Sequence, residues 1–253
     1  MIDLQSHILY GVDDGARTLA ESLELGRMAA AAGTRVIAAT PHGPGSVATR
    51  VYDADLIAER AAEIEAALRV EGIELQVVAG TEINFDAKAV DALRHSLVIP
   101  YAGTRTVLLE PTYGFTPSFE SVVFAIQALG YRVLLAHPER VGEVRDDPNC
   151  LIPLIERGVL MQLTAEALTG AQGGRMQRLC ETLVTHNFVH VIASDSHRPT
   201  QRPPVLGPAR DYAAHLLGEA AANALVEANP AAILADRPIH VSPTSIRAAW
   251  RFW

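Results

Sequence analysis

The sequence predicts an α/β chain folded as one domain, a distorted or open seven-stranded (β/α) barrel. Three observations predict it. Apolar runs of strand length recur along the 253 residues. Helical stretches of suitable length lie between them, and that alternation implies a parallel sheet. The runs also deliver metal-binding residue types at their carboxyl ends, which is where (β/α) barrels assemble their active sites.

Met1-Ile2-Asp3-Leu4 reads as the first strand and leads to His7. Thr18-Leu19-Ala20-Glu21 reads as a capping box, in which Thr and Glu satisfy each other's free amides. It opens a helix through Ala32, stopped by Gly33. The run from Arg35 to Thr40 is a strand that delivers His42. Asp53 caps a second helix with Ile57, Ala61, Ile64 and Leu68 on one face, ending near Gly72. A strand near 74–81 delivers Glu82, and one near 105–110 delivers Glu110. Thr116-Pro117 starts a third helix, with proline at its first position, running to Leu129 and Gly130. The strand from Arg132 to Ala136 delivers His137. Cys150 to Arg157 and Arg175 to His186 read as helices on either side of a strand near 159–164. The last strand, near 189–194, delivers the pair Asp195 and His197. After Ser194 a helical course is expected through Leu225, broken at Pro203-Pro204. Residues from about 229 to 253 read as a C-terminal extension of the single 1–253 domain, with Trp250 and Trp253 as packing or interface groups. Seven strands are one short of the usual eight, hence the expected distortion.

Composition narrows the partners. A net charge of -8 with no Lys/Arg cluster excludes nucleic acid as the expected partner. No apolar stretch reaches the roughly 18 residues that span a bilayer, so membrane insertion is not expected. Two cysteines, Cys150 and Cys180, form no pair motif, which suits a reducing compartment. With no leader-like start, the expected location is the cytoplasm. Alanine-rich apolar helices make a homo-oligomer compatible with the chain.

Each ligand candidate is weak alone; joint placement is not. His7, Asp14, His42, Glu82, Glu110, His137, Asp195 and His197 all fall where barrel loops converge on one mouth. Imidazole with carboxylate suits Zn, Mn or Fe better than Ca. Eight ligands exceed the need of one ion, so two or three divalent metals are implied. Thiolate chemistry lacks support: six residues after Cys150 and Cys180, where a phosphate-binding arginine would stand, are Glu156 and His186. No Gly-x-Ser-x-Gly elbow is present either.

Several motifs carry a resemblance. Asp3-Leu4-Gln5-Ser6-His7, Gly11-Val12-Asp13-Asp14-Gly15, Thr40-Pro41-His42, Gly80-Thr81-Glu82-Ile83, Ala136-His137-Pro138-Glu139-Arg140 and Ala193-Ser194-Asp195-Ser196-His197 resemble the PHP (polymerase and histidinol phosphatase) superfamily. Within it, the chain is most similar to bacterial tyrosine-protein phosphatases of the CpsB/YwqE type, over roughly residues 1–235. The resemblance implies a distorted, TIM-like (β/α)7 barrel of the PHP type. It implies that His7, Glu82 and Asp195 hold one metal, that Glu82, Glu110 and His137 hold a second with Glu82 bridging, and that Asp14, His42 and His197 hold a third. It favours manganese, with Fe, Zn or Co also accepted. Arg140 resembles the arginine that grips substrate phosphate, a task for which the guanidinium fork is suited. Arg198 and Arg202 are further candidates for that phosphate, and Tyr113 and Phe115 for flanking an aromatic ring.

The implied reaction is phosphotyrosine hydrolysis on a protein, expected to be the tail of a bacterial tyrosine kinase controlling capsule and exopolysaccharide synthesis. A metal-bridging hydroxide would attack phosphorus directly, with Arg140, His42 and Asp195 as the catalytic candidates, the latter two for proton relay. One position departs from the family pattern Asp-x-His-x-His: its first histidine is Gln5, whose neutral carbonyl is a poorer ligand than imidazole. That leaves a weakly held first ion, a two-metal enzyme, or loss of activity. The alternatives are therefore another PHP phosphoesterase, of the histidinol-phosphate type, and a catalytically impaired binding protein. An amidohydrolase is less well supported, since no lysine stands at a strand end.

Overall fold

Short parallel strands, nearly all buried, form the framework of the computed structural model. It describes residues 1–86, 88–111, 114–115, 118–240 and 242–246. Among them, one sheet holds β1 (Ile2–Ser6), β2 (Val36–Ala39) and β3 (Gln76–Ala79) in that order. The other holds β4 (Glu82–Asn84), β5 (Thr106–Glu110), β6 (Arg132–Ala136), β7 (Leu160–Thr164) and β8 (Val191–Ala193). Every pairing is parallel. All-parallel strands need cover on both faces, which explains runs as apolar as Val107-Leu108-Leu109 and Val133-Leu134-Leu135.

Among the described residues, eight strands replace the expected seven. The segment near 74–81, expected as one strand, stops at Ala79, and Glu82 starts a new one in the other sheet. The chain at the break is closely packed. A Cβ on Gly80 would lie 3.2 Å from the Thr40 side chain and 3.3 Å from the Tyr101 ring. Thr81 meanwhile turns its hydroxyl to Tyr52 (2.6 Å) and accepts the Ile99 N–H (3.0 Å). An isolated backbone bridge pairs His42 with Glu82 across this seam, and another pairs Ser6 with Ser196 beside β8.

The two faces of the strands pack against different things. Ile37, Ala39 and Val77 meet the buried stripe Ile57, Ala61, Ile64 and Leu68 of α2 (Ala54–Val70), capped by the Asp53 carboxylate on the Leu56 N–H (2.9 Å). Each large aliphatic side chain buried there contributes about 1.5–3 kcal/mol. The helix α1 (Leu19–Ala31) is capped by Thr18, whose hydroxyl accepts the Glu21 N–H. The expected box closes one residue early, with the Glu21 carboxylate accepting the Arg17 N–H (2.7 Å) rather than that of Thr18. On the opposite strand faces, Leu4, Ala38, Leu108, Leu134, Leu160 and Val191 form one small cluster drawn from both sheets.

Other expectations need adjustment. The helix from Cys150 resolves into a 3-10 turn (Pro148–Leu151) followed by Ile152–Glu156, and the next runs Gly174–Thr185. The third helix is ordered over Phe119–Ala128; its expected start, Thr116-Pro117, lies outside the described residues, as do Tyr113, Trp250 and Trp253. The largest correction follows Ser194. Residues 195–206 form a loop rather than a helix, with Asp195 at φ 51° and Arg202 at φ 55°. Helix resumes at Gly207–Leu217 and breaks at Gly218, not at the proline pair. Asn229–Leu234 is a helix with Pro230 and Ile233 buried. Among the described residues, no helix is long and apolar enough to cross a membrane.

Candidate metal centre

The eight predicted ligands converge on one place. β1 carries a register shift between Asp3 and Ser6, and bulges of this kind re-aim side chains beside active sites. Beyond it His7 is fully buried, with its Nδ1 2.7 Å from Asp13 Oδ2. Asp13 also accepts the Gly15 N–H (2.9 Å) and the His42 N–H (3.1 Å), so one carboxylate fixes three parts of the site. Gly15 is required here: a Cβ would come within 2.1 Å of the His7 carbonyl oxygen. Asp195 is held beside β1 by its N–H on the Gln5 carbonyl (3.0 Å), and Ser194 donates to the Asp3 carboxylate through both N–H (3.0 Å) and hydroxyl (2.5 Å).

Three overlapping groups result. His7 Nε2 lies 3.4 Å from Glu82 Oε2 and 3.4 Å from Asp195 Oδ1. His137 Nε2 lies 3.0 Å from Glu82 Oε1 and 3.9 Å from Glu110 Oε1. Asp14 Oδ1 lies 3.7 Å from His42 Nε2 and 3.6 Å from His197 Nε2. His42 Nδ1 ties the groups together, 3.3 Å from Glu82 Oε2 and 3.7 Å from Glu110 Oε2.

These side chains fit divalent cations. His7 Nε2, His42 Nδ1 and Asp14 Oδ1 are buried and make no hydrogen bond, a costly state that an ion would relieve. His7, Asp14, His42 and His197 offer ligand atoms within 4.8 Å of one another, and so do His42, Glu82 and Glu110. Two imidazoles are oriented as metal ligands usually are, with the far nitrogen spoken for. His7 uses Nδ1 on Asp13, and His197 uses Nδ1 on the Asp195 carbonyl oxygen (2.9 Å). His137 (φ 34°) and Asp195 sit in left-handed backbone, a strain found at functional sites.

Electrostatics agree. Burial alone would lower the His7 imidazole, but the Asp13, Asp195 and Glu82 carboxylates outweigh it and raise it well above its ordinary value. Burial pushes Glu82 up, yet its imidazole neighbours, His137 first, hold it far below the carboxylate range. Glu110 moves the other way, raised by burial and by the Glu82 charge. Burial raises Asp3 to about 6 and lowers His197 to about 4. Oppositely perturbed carboxylates and imidazoles packed into one site are a mark of functional centres.

Arginines close one side. Arg140, in the 3-10 turn Pro138–Arg140 after β6, sends Nη2 to Asp195 Oδ2 (2.6 Å) and to Thr164 Oγ1 (3.3 Å). Arg202 reaches the same Asp195 oxygen at 2.5 Å. Arg198 bonds the Asp14 carbonyl oxygen at 3.3 Å. Asp14, His197, Arg198, Gln201 and Arg202 line a cavity of about 400 Å³ at the mouth. Phe115 packs on Phe119 with ring centroids 4.7 Å apart, at the edge of the core.

Sequence reasoning missed several participants. Asp13 stands beside a predicted ligand, and its burial was the missing signal. Glu139 is a fully buried carboxylate that accepts the Thr164 N–H (3.1 Å). Gln162 interrupts an apolar strand, which is a readable signal. His190, which the ligand reading leaves out, is 1% exposed and accepts the Met161 N–H on Nδ1 (3.1 Å). The cysteines are inert as read: burial pushes Cys150 to about 12 and Cys180 well above its ordinary value.

Known proteins resemble the chain along most of its length. The family model described as capsular polysaccharide synthesis, CpsB/CapC, matches residues 1–235. The tyrosine-protein phosphatase YwqE of Bacillus subtilis is 34% identical over 203 residues, 80% of this chain and 79% of its own. CpsB of Streptococcus agalactiae, also a tyrosine-protein phosphatase, is 27% identical over 94% of this chain and 100% of its own. A chain from the crystal structures of YwqE from Bacillus subtilis and CpsB from Streptococcus pneumoniae, described as unique metal-dependent tyrosine phosphatases, aligns with TM-score 0.91. It is 30% identical and covers 98% of this chain and 100% of its own. The chain belongs to the CpsB/CapC family.

Proposed function

We propose that the protein is a metal-dependent protein-tyrosine phosphatase, as its relatives YwqE and CpsB are named. The observation that carries this reading is the shared position of Glu82, whose Oε2 faces His7 and His42 while Oε1 faces His137. Such a carboxylate suits a pair of neighbouring cations. His7, Glu82 and Asp195 would hold one ion; Glu82, Glu110 and His137 a second; Asp14, His42 and His197 a third. Manganese is the favoured ion. Bound divalent metals supply an activated water at neutral pH and neutralise phosphoryl charge.

The chain's own residues do the rest. Arg140 and Arg202 turn from Asp195 toward the incoming phosphate and bind its oxygens as forks. Asp195 keeps at least one of them in register between turnovers. Tyrosinate is a good leaving group, with an ordinary pKa of about 10, so little acid assistance is needed; His42 or Asp195 relays the proton that remains. A mouth with half-exposed Asp14 and partly exposed arginines suits a tyrosine near the end of an extended protein segment. The expected partner is the tail of a bacterial tyrosine kinase in capsule synthesis, met by this protein in the cytoplasm. We also read the chain as a single domain with a C-terminal extension, its two sheets curled about the shared cluster as a distorted barrel.

The test is hydrolysis by the manganese-loaded protein of a phosphotyrosine peptide set against histidinol phosphate. Preference for the peptide is expected. Preference for histidinol phosphate moves the protein to the small-molecule reading, and activity on neither favours the binding-protein reading.

A further inference from the structure

Gln5, the one departure from the family pattern, is not isolated. Its Nε2 donates to Glu82 Oε1 at 2.6 Å, and its Oε1 accepts from Gln162 Nε2. Gln162 lies in the middle of β7, paired with Ala136 on one side and Val191 on the other. Gln5, Glu82 and Gln162 are all at most 1% exposed. The direction of this chain of bonds is fixed by charge. An ionised carboxylate only accepts, so Gln5 must present N–H to Glu82. Its carbonyl oxygen is then turned away and must be met by a donor, which Gln162 supplies. Gln162 Oε1 is left buried without a partner, so the arrangement holds at a local cost.

The amide oxygen is the only side-chain atom of Gln5 able to ligate a cation, and it is turned toward Gln162 while the N–H end faces Glu82. We propose that Gln5 and Gln162 form one positioning device that aims the bridging carboxylate of Glu82, and that Gln5 is not itself a metal ligand. The inference rests on the reading of Glu82 as a ligand. Gln162 locks the Gln5 amide; the locked amide holds Glu82 Oε1 where His137 also meets it, at 3.0 Å. The first metal group keeps three protein ligands, His7, Glu82 and Asp195, and gains a supported carboxylate in place of a fourth. Hydrogen-bonding partners of ligands typically change metal affinity by roughly 10- to 100-fold.

The test is a double-mutant cycle read by calorimetric titration of the chelator-treated full chain with MnCl2. Gln5→Leu, Gln162→Leu and the double variant are compared, with Gln162→Met as a donor-free side chain of unchanged length. The melting temperature of each metal-free chain is recorded alongside. Each single change is expected to weaken the tightest manganese site by roughly 10- to 100-fold. The double variant should be no weaker than Gln5→Leu by more than about threefold, because the two residues act through one bond to Glu82. Additive losses would overturn the proposal. So would Gln162 variants that melt earlier yet bind manganese as the parent does, since that is a purely structural role. If Gln5→Leu alone weakened binding, Gln5 would be a ligand after all. A parent chain that binds no manganese would overturn the metal reading itself and the pair with it, whereas a binding parent with an additive cycle overturns the pair alone.

Discussion

His7 and Asp13 meet at 2.7 Å, Nδ1 to Oδ2, and both are wholly buried. The bond decides which nitrogen of His7 is free, leaving Nε2 to face Glu82 and Asp195. Asp13→Ala should therefore weaken manganese binding by roughly 10- to 100-fold. Asp13→Asn retains an acceptor and should lose less. Metal content after gel filtration distinguishes the three proteins; equal content would deny Asp13 its orienting role.

Metal removal is the plainest test of the centre. Treatment with a chelator should abolish phosphotyrosine hydrolysis, and added Mn²⁺ should restore it. Undiminished turnover in fully stripped protein, checked by elemental analysis, would refute a metal-dependent reaction.

Arg140 donates from Nη2 to Asp195 Oδ2 at 2.6 Å, which places its guanidinium at the metal centre. Arg140→Ala should lower kcat/KM on a phosphotyrosine peptide by roughly 10²- to 10³-fold, the usual loss for one donor to a developing oxyanion. Arg140→Lys should recover only part of it, because a point charge lacks the planar fork. Full recovery by lysine would reduce the role to charge alone.

Gln5→His restores imidazole at the first position of the motif. Manganese occupancy and turnover should both rise. If both forms carry equal metal and work at equal rates, an imidazole at this position adds nothing that the Gln5 amide does not already supply.

His190 gives a prediction independent of the metal centre. Burial lowers it to about 4, against an ordinary 6.5, so the folded chain resists a proton that the unfolded chain accepts. A depressed histidine contributes its full share of stability above pH 6.5 and loses it as pH falls toward 4. The loss amounts to about 3 kcal/mol. Urea unfolding of parent and His190→Gln should show the gap between them shrinking by that order from pH 7 to pH 4. Parallel acid limbs would mean that His190 titrates normally.

Much of the site was legible because strand ends are readable. His42, Glu82, Glu110, His137 and Asp195 each follow an apolar run, and parallel strands bring such ends together whatever lies between. The architecture was harder to read. Nothing in Val77-Val78-Ala79-Gly80-Thr81 announces that the chain changes sheets; the Thr40 and Tyr101 side chains that flank Gly80 at the break are distant in sequence. The loop at 195–206 was mistaken for helix because its left-handed residues are Asp195 and Arg202 rather than glycine. Asp13, Glu139 and His190 were missed for a common reason: burial of a polar side chain is a tertiary fact.

The seam at Gly80 has a mechanical consequence. His7 and His42 follow strands of one sheet, while Glu82, Glu110, His137 and Asp195 begin, end or follow strands of the other. Any cation coordinated from both sides acts as a rivet between two halves of the molecule. Demetallation should then loosen the protein along that line first, with amide exchange at residues 79–84 accelerating while α2 stays protected. Catalytic readiness and mechanical cohesion would be a single quantity, set by how much metal the cell provides.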